Sequence, residues 1–166
     1  MGLPHLRETG VIKVREGNDT MTQSALFIEQ AARQGTPVLF ENPIGSRIFG
    51  TTLFKRIMSV NGFSRHALDQ CSFGARWRKR TAVLSWHCDA SLLSGRLCCG
   101  HGGMCSHSGI MHIILQGRDR GTNKLWTTLA QAYPSKLATV FARILAESAD
   151  AAATSRIYDL GCGFAI

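Results

Sequence analysis

The sequence contains no apolar run long enough to cross a lipid bilayer. Its apolar stretches fall far short of the roughly 20 residues that a spanning helix needs. The pattern of a signal peptide is also missing, since charged and apolar residues alternate from Met1 to Arg15. From these absences we expect a protein that is neither embedded in a membrane nor secreted. We therefore expect a nuclear or cytoplasmic protein that has no membrane partner.

Acidic residues are scarce. The 166 residues include 11 Asp and Glu against 19 Lys and Arg, which gives a formal charge of +8 and a pI near 9.6. Such an excess favours polyanionic partners, because neutralised phosphates release condensed counterions. A merely basic, soluble surface would give the same numbers. Hydrophobic residues make up 45% of the chain, enough for the core of one domain.

Paired Cys-x-x-Cys motifs are missing, yet five of the six cysteines lie between Cys71 and Cys105. Thiols of an unsecreted chain are more often free or metal-bound than oxidised. Residues 87–117 are rich in Cys, His, Gly and Ser, which predicts a loop-rich insert. Zinc needs four thiolate or imidazole ligands in a tetrahedron. The preferred ligands are Cys71, Cys99, Cys105 and His112, with Cys98, His101 or His107 as substitutes; the alternative is a loop with buried free thiols.

Hydrophobic patterning predicts an α/β domain over residues 20–148. Residues 20–23 have the form of a capping box that begins a helix, and the apolar run 37–40 has the character of a buried parallel strand. Further along the chain we predict a helix over 46–60, strands over 67–71 and 81–86, and a helix from Pro134 to about Glu147. Residues 1–19 are predicted to be irregular, and residues 149–166 form a tail.

A basic run interrupted by one aromatic residue precedes the strand predicted over 81–86. Guanidinium groups hold phosphates, and an indole can stack on a base. We therefore predict a nucleic-acid contact, with a solvated charged face as the alternative. The residues of this run are Arg76, Trp77, Arg78, Lys79 and Arg80.

Three segments carry a family resemblance in the order of the chain. Residues 38–43 end a strand in Glu-Asn-Pro, residues 73–80 read Phe-Gly-Ala-Arg-Trp-Arg-Lys-Arg, and residues 130–134 read Ala-Gln-Ala-Tyr-Pro before a helix. They resemble the Glu-Asn-Val, Gly-x-Pro-Gln-x-Arg-x-Arg and Gly-Asn-Ala-Val-Pro motifs of DNA cytosine-5 methyltransferases. Pro43, Ala75 and Arg76 depart from those motifs. The chain is also similar to methyltransferase-like open reading frames of retroelements in protists and fungi, through segments 69–74, 98–112 and 130–134.

This resemblance implies a partial Rossmann-like open sheet of the class I methyltransferase type. In that family the glutamate protonates the flipped cytosine, so Glu41 and Asn42 become the candidate catalytic residues. S-adenosylmethionine would lie against Gln131, Ala132 and Pro134, and DNA would be the partner. The Pro-Cys nucleophile is missing upstream of Glu41, as is a glycine-rich cofactor loop. We therefore expect an incomplete or inactive enzyme whose missing sheet edge comes from a second chain or from self-association.

Two other functional hypotheses remain open. The first is a small zinc-stabilised nucleic-acid-binding module of a mobile element, without methyltransferase activity. The second is an ordinary structural domain whose motifs match by accident.

Overall fold

In the computed structural model, which describes residues 7–161, a three-stranded sheet lies between two helical layers. The protein is therefore of mixed α/β architecture, as predicted. None of its helices, within the described range, is long and apolar enough to cross a membrane. The elements are α1 (Glu8–Arg33), β1 (Val38–Pro43), α2 (Thr52–Ile57), β2 (Phe63–Asp69), β3 (Arg80–Trp86), α3 (Trp126–Leu129) and α4 (Ser135–Gly161).

The sheet is antiparallel throughout. Its order is β1-β3-β2, and Trp86 of the central strand stands opposite both Val38 and Phe63. The prediction of a parallel strand at residues 37–40 is therefore wrong. An apolar run indicates that a strand is buried, but burial does not determine whether the neighbouring strand is parallel or antiparallel. The Rossmann-like identity of the fold stays a prediction from the resemblance.

Each face of the sheet has its own hydrophobic core. On one face α1 and α2 cover the sheet, with Ile28 and Phe54 packed near Trp86. On the other face Leu137 and Ile144 of α4 pack against Val83. Strand β3 is buried from Thr81 to Trp86, because it is central in the sheet and covered on both sides.

Helix α1 begins much earlier than the sequence pattern indicates. It starts at Glu8, so the predicted irregular segment 1–19 is wrong over its described part from residue 8 onward. Thr20 is no cap, since its hydroxyl donates to the carbonyl of Glu16 within the helix. The early turns bury almost nothing, and an exposed polar helix shows no apolar period that could reveal it.

Other boundaries move by smaller amounts. The helix predicted over 46–60 is a 3₁₀ turn (Arg47–Gly50) followed by the shorter α2, and β2 begins four residues before the predicted strand. Helix α4 runs to Gly161 and takes in most of the predicted tail, whose residues 162–166 lie outside the described range. The predicted strand over 81–86 is confirmed. Residues 87–117 form loops and short turns, as predicted for the insert.

Candidate metal centre

Three thiols and one imidazole meet in the interior of the loop-rich region. The ligand atoms of Cys71, Cys98, Cys105 and His112 all lie within 4.8 Å of one another. All three cysteines are buried, and they form a small apolar cluster separate from the two main cores. Such a buried Cys₃His group could hold a metal ion.

Cys71 is presented by a 3₁₀ turn that directly follows β2. The turn (Gln70–Phe73) ends at Gly74, whose φ of 92° is a left-handed conformation that favours glycine, and the Gly74 amide donates to the Cys71 carbonyl over 3.1 Å. The turn thus places the thiol below the end of the sheet. The position of Cys71 therefore depends on the end of β2.

Cys98 is held by Asp69, the last residue of β2. The Asp69 side chain is fully buried, and its Oδ2 accepts the backbone amide of Cys98 over 2.8 Å. Burial opposes the charged form, but the guanidinium of Arg80 and the amide of Cys98 outweigh that effect and lower the pKa of Asp69. The carboxylate is therefore a fixed negative charge that ties the cysteine loop to the sheet.

The last two ligands belong to a tight hairpin loop. Cys105 and Ile110 are joined by a backbone hydrogen bond of 2.9 Å, and Met104 bridges Met111 across the loop. The next residue, His112, donates its amide to the carbonyl of Gly103, and its Nε2 lies 3.7 Å from the Cys98 sulfur. The hairpin thus turns one thiol and one imidazole toward the same point.

Hydrogen bonds favour the thiolate form at two of the three sulfurs. At Cys105 burial opposes ionisation, but bonds from Ser108 and from the His107 amide prevail and lower its pKa to about 7. The pKa of Cys98 is also lowered, because donors from Ser106 and Gly100 outweigh burial. Burial, with hydrogen bonds to the other two sulfurs, raises the pKa of Cys71. A bound cation would displace that remaining proton.

The spacing of the four ligand atoms fits a tetrahedral ion. Zinc–sulfur bonds of about 2.3 Å place two sulfurs roughly 3.8 Å apart, and a sulfur and an imidazole nitrogen roughly 3.6 Å apart. The distance of 3.7 Å between Cys98 Sγ and His112 Nε2 agrees with this geometry. The four ligand atoms all lie within 4.8 Å of one another.

One member of the preferred ligand set changes. Cys99 is exposed, whereas its neighbour Cys98, which was a substitute in the sequence analysis, is buried in the cluster. His101 and His107 lie outside the cluster and are exposed. Two sets of hydrogen bonds hold Cys98 in the cluster: its amide donates to Asp69, and its sulfur accepts from Ser106.

The basic run is mostly directed into the protein. Arg78 and Arg80 both pair with the buried Asp69, at 3.3 and 2.9 Å. Lys79 lies 4.0 Å from a carboxylate oxygen of Glu41, and the Trp77 indole donates to Gln70 over 3.0 Å. The remaining residue, Arg76, is exposed. The charges of the run thus anchor the loop to the sheet, and Arg76 is its most accessible cation.

Glu41 and Asn42 are adjacent in β1 and therefore face opposite sides of the sheet. Glu41 lies on the α4 side, where it accepts hydrogen bonds of 3.0 Å from the hydroxyls of Thr81 and Tyr133. Its two oxygens are thus bound by protein groups. The catalytic roles of Glu41 and Asn42 stay predictions that depend on the resemblance alone.

The turn predicted to contact a cofactor connects α3 to α4. Gln131 and Ala132 are exposed there, and Ala132 and Pro134 line a cleft next to Trp77. Binding of S-adenosylmethionine at these residues stays a prediction. The turn is nevertheless brought close to the basic run, from which it is separated by more than 50 residues of sequence.

Comparison of the chain with protein-family models, curated proteins and solved structures finds no match.

The residues that organise the site could not be identified from the sequence pattern. Asp69 joins the arginines to Cys98, and Ser106 donates to the Cys98 sulfur through its amide over 3.3 Å. A lone aspartate after a strand gives no signal of its function. Its position two residues before Cys71 was the one available indication that it would lie beside the cluster.

Proposed function

We propose that this protein is a zinc-stabilised nucleic-acid-binding module. The observation that supports the proposal best is the buried convergence of Cys71, Cys98, Cys105 and His112. Thiolate and imidazole ligands in a tetrahedral set suit Zn²⁺ better than Mg²⁺ or Ca²⁺, which prefer oxygen. The ion would close the loop-rich region, which contributes few residues to either core.

The role of this zinc is structural. Four protein ligands fill the coordination sphere of a tetrahedral ion, whereas a catalytic zinc keeps one position for water or substrate. The ligands come from two distant parts of the sequence, so the ion would pin the hairpin around residues 104–111 to the sheet through Cys71. Zinc binding energy would then add directly to the stability of that region.

Nucleic acid is the partner that the charge of the chain favours. The formal charge is +8, and Arg76, Arg118, Arg120, Lys124 and Lys136 are all exposed in or near the zinc-containing half. Phosphates attract such a surface at long range and release counterions on binding. Methyl transfer has no comparable support, since the sheet formed within residues 7–161 is antiparallel throughout.

The proposal is tested first by metal content and then by binding. We expect about one zinc per chain by elemental mass spectrometry, and tetrahedral d–d bands with sulfur charge transfer after cobalt substitution. Fluorescence anisotropy with a labelled oligonucleotide should show binding that weakens steeply as salt increases. A protein that purifies without zinc and takes up no cobalt would refute the metal centre; absence of oligonucleotide binding at low salt would refute the nucleic-acid function.

A further inference from the structure

A cleft of about 490 Å³ separates the basic run from the start of α4. Its walls come from segments 73–77 and 129–136, so two parts of the loop-rich half face each other across it. Both aromatic and cationic side chains line the cleft, namely Phe73, Trp77, Tyr133, Arg76 and Lys136. A volume of this order accommodates a ligand of nucleotide size.

The two amphipathic aromatic residues of the cleft have their polar tips bound to the protein. The Trp77 indole nitrogen donates to Gln70, and the Tyr133 hydroxyl donates to Glu41, each over 3.0 Å. The Tyr133 ring also packs edge-on against Phe141, with the ring centroids 5.5 Å apart. Both rings are thus fixed in orientation, which lowers the entropy cost of stacking a flat ligand against them.

The cations of the cleft differ from the half-buried cations beside it. Arg78 and Arg80 share one ion-pair partner, Asp69, and Lys79 lies near Glu41. The side chain of Lys136 is exposed and makes no hydrogen bond or ion pair with any residue of the described range. Arg76 is also exposed, and its charge lowers the pKa of Asp119 only as a minor contribution behind hydrogen bonds from Thr122. Two positive charges therefore stand at the rim, and neither forms an ion pair within the described part of the chain.

The metal centre lies directly behind one wall of this cleft. The carbonyl of Arg76 accepts the amide of Ile113, the residue after His112, over 2.8 Å. Ala75 and Arg76 line the cleft on one side and a smaller cavity beside Cys105 and His112 on the other. A bound zinc would thus hold the wall that carries Arg76 and Trp77.

We propose that this cleft is the site where the protein binds single-stranded nucleic acid, with an unstacked base against Trp77 and Tyr133 and the adjoining phosphates on Arg76 and Lys136. The inference rests on the proposed function and assigns its binding site. Glu41 becomes a positioning residue for Tyr133. A paired base cannot enter a cleft of this kind without leaving its helix, so single strands are preferred over duplexes.

The test uses zinc-loaded full-length protein and three labelled probes: a 12-residue oligothymidylate, an abasic oligomer of equal length and charge, and a DNA duplex. Oligothymidylate should bind at least about 10-fold more tightly than the abasic oligomer, which is the effect of one stacked base. Tyr133→Leu and Trp77→Leu should each remove about 10-fold from oligothymidylate binding and leave abasic binding unchanged. Trp126→Leu, which alters a tryptophan outside the cleft, is the matched control.

The phosphate contacts proposed for the cations of the cleft are tested separately from base stacking. Lys136→Gln should weaken both single-stranded probes and reduce the slope of log affinity against log salt by about 0.7, the value for one phosphate contact on a single strand. Lys13→Gln on the exposed start of α1 should change neither quantity. Zinc content and circular dichroism of each variant show whether it folds; Tyr133 and Lys136 are exposed, so these variants keep the test valid if Trp77→Leu unfolds.

The outcomes separate the two proposals. If oligothymidylate and the abasic oligomer bind equally, or the duplex binds as tightly as the single strand, the cleft is not the proposed binding site for an unstacked base. The proposed nucleic-acid function would still stand. The same holds if Tyr133→Leu weakens the two single-stranded probes equally. Failure of the zinc-loaded protein to bind any probe would overturn both the proposed binding site in the cleft and the proposed nucleic-acid function.

Discussion

At the residue scale, two adjacent cysteines provide the sharpest test of the metal centre. Cys98 is buried among the other ligands, whereas Cys99 is exposed. We expect Cys98→Ser to lower zinc content to near zero after dialysis against a weak chelator, because a hydroxyl is a poor zinc ligand. Cys99→Ser should retain the zinc of the unaltered protein. The opposite result would return Cys99 to the ligand set that sequence patterning preferred.

Asp69 offers a second prediction, because one carboxylate serves two arginines and the Cys98 amide. Asp69→Asn keeps the shape but removes the charge, leaving two guanidinium groups without a charged partner. Breaking a buried pair typically costs 3–5 kcal/mol. The partial exposure of Arg78 and Arg80 reduces that cost, so we expect about 2 kcal/mol by urea denaturation.

The same variant should bind zinc about 10-fold more weakly, since groups that orient a metal ligand affect affinity by 10- to 100-fold. Asp119→Asn is the control, as Asp119 is half-buried and its side chain forms hydrogen bonds with Thr122 of its own loop. If both variants lost equal stability, the proposed role of Asp69 in positioning Cys98 would be wrong.

Three of the four candidate metal ligands could be predicted from residue type and clustering alone. Cys71, Cys105 and His112 were the preferred residues, and the cluster contains them. Cys98 could not be chosen over Cys99, because the choice depends on a hydrogen bond to Asp69 that forms only after β2 and the loop come together. The functions expected of Glu41, Asn42 and the turn at 131–134 came from the resemblance, and they stay predictions.

At the scale of elements, α1 combines a packed half with an exposed half. Ile28 contacts the core with 6% of its surface exposed, whereas the adjacent Phe27 is 72% exposed. Ile28→Ala should lower the free energy of unfolding by about 2–4 kcal/mol through the lost burial and the cavity. Phe27→Ala should change it by less than about 0.5 kcal/mol. Thermal and urea denaturation measure both, and equal effects would mean that α1 packs differently.

The strands show why the type of an element is easier to predict than the strands with which it pairs. The run from Thr81 to Trp86 has the β-branched and apolar composition of a strand, and it is one. Nothing in that composition says that its partners are antiparallel or that it lies between them. Those properties are set by contacts between β1, β2 and β3 that are distant in sequence.

At the scale of the whole molecule, the metal cluster is separate from both hydrophobic cores. Removing zinc should therefore loosen the loops without unfolding the sheet. Hydrogen exchange followed by mass spectrometry should show faster exchange for residues 98–113 after chelation, with β3 still protected. Restored protection on adding zinc is the control for irreversible damage. Uniform loss of protection would show that the ion supports the entire fold.

The position of β3 has a consequence for how the protein is made. Both partners of this central strand precede it in the chain, so neither β1 nor β2 can pair within the sheet until residues 80–86 have been synthesised. Strands β1 and β2 therefore emerge from the ribosome unpaired, before the β3 strand that pairs with both of them. A nascent chain that stops before Arg80 has no sheet at all, and such premature products are natural clients for chaperones and proteases.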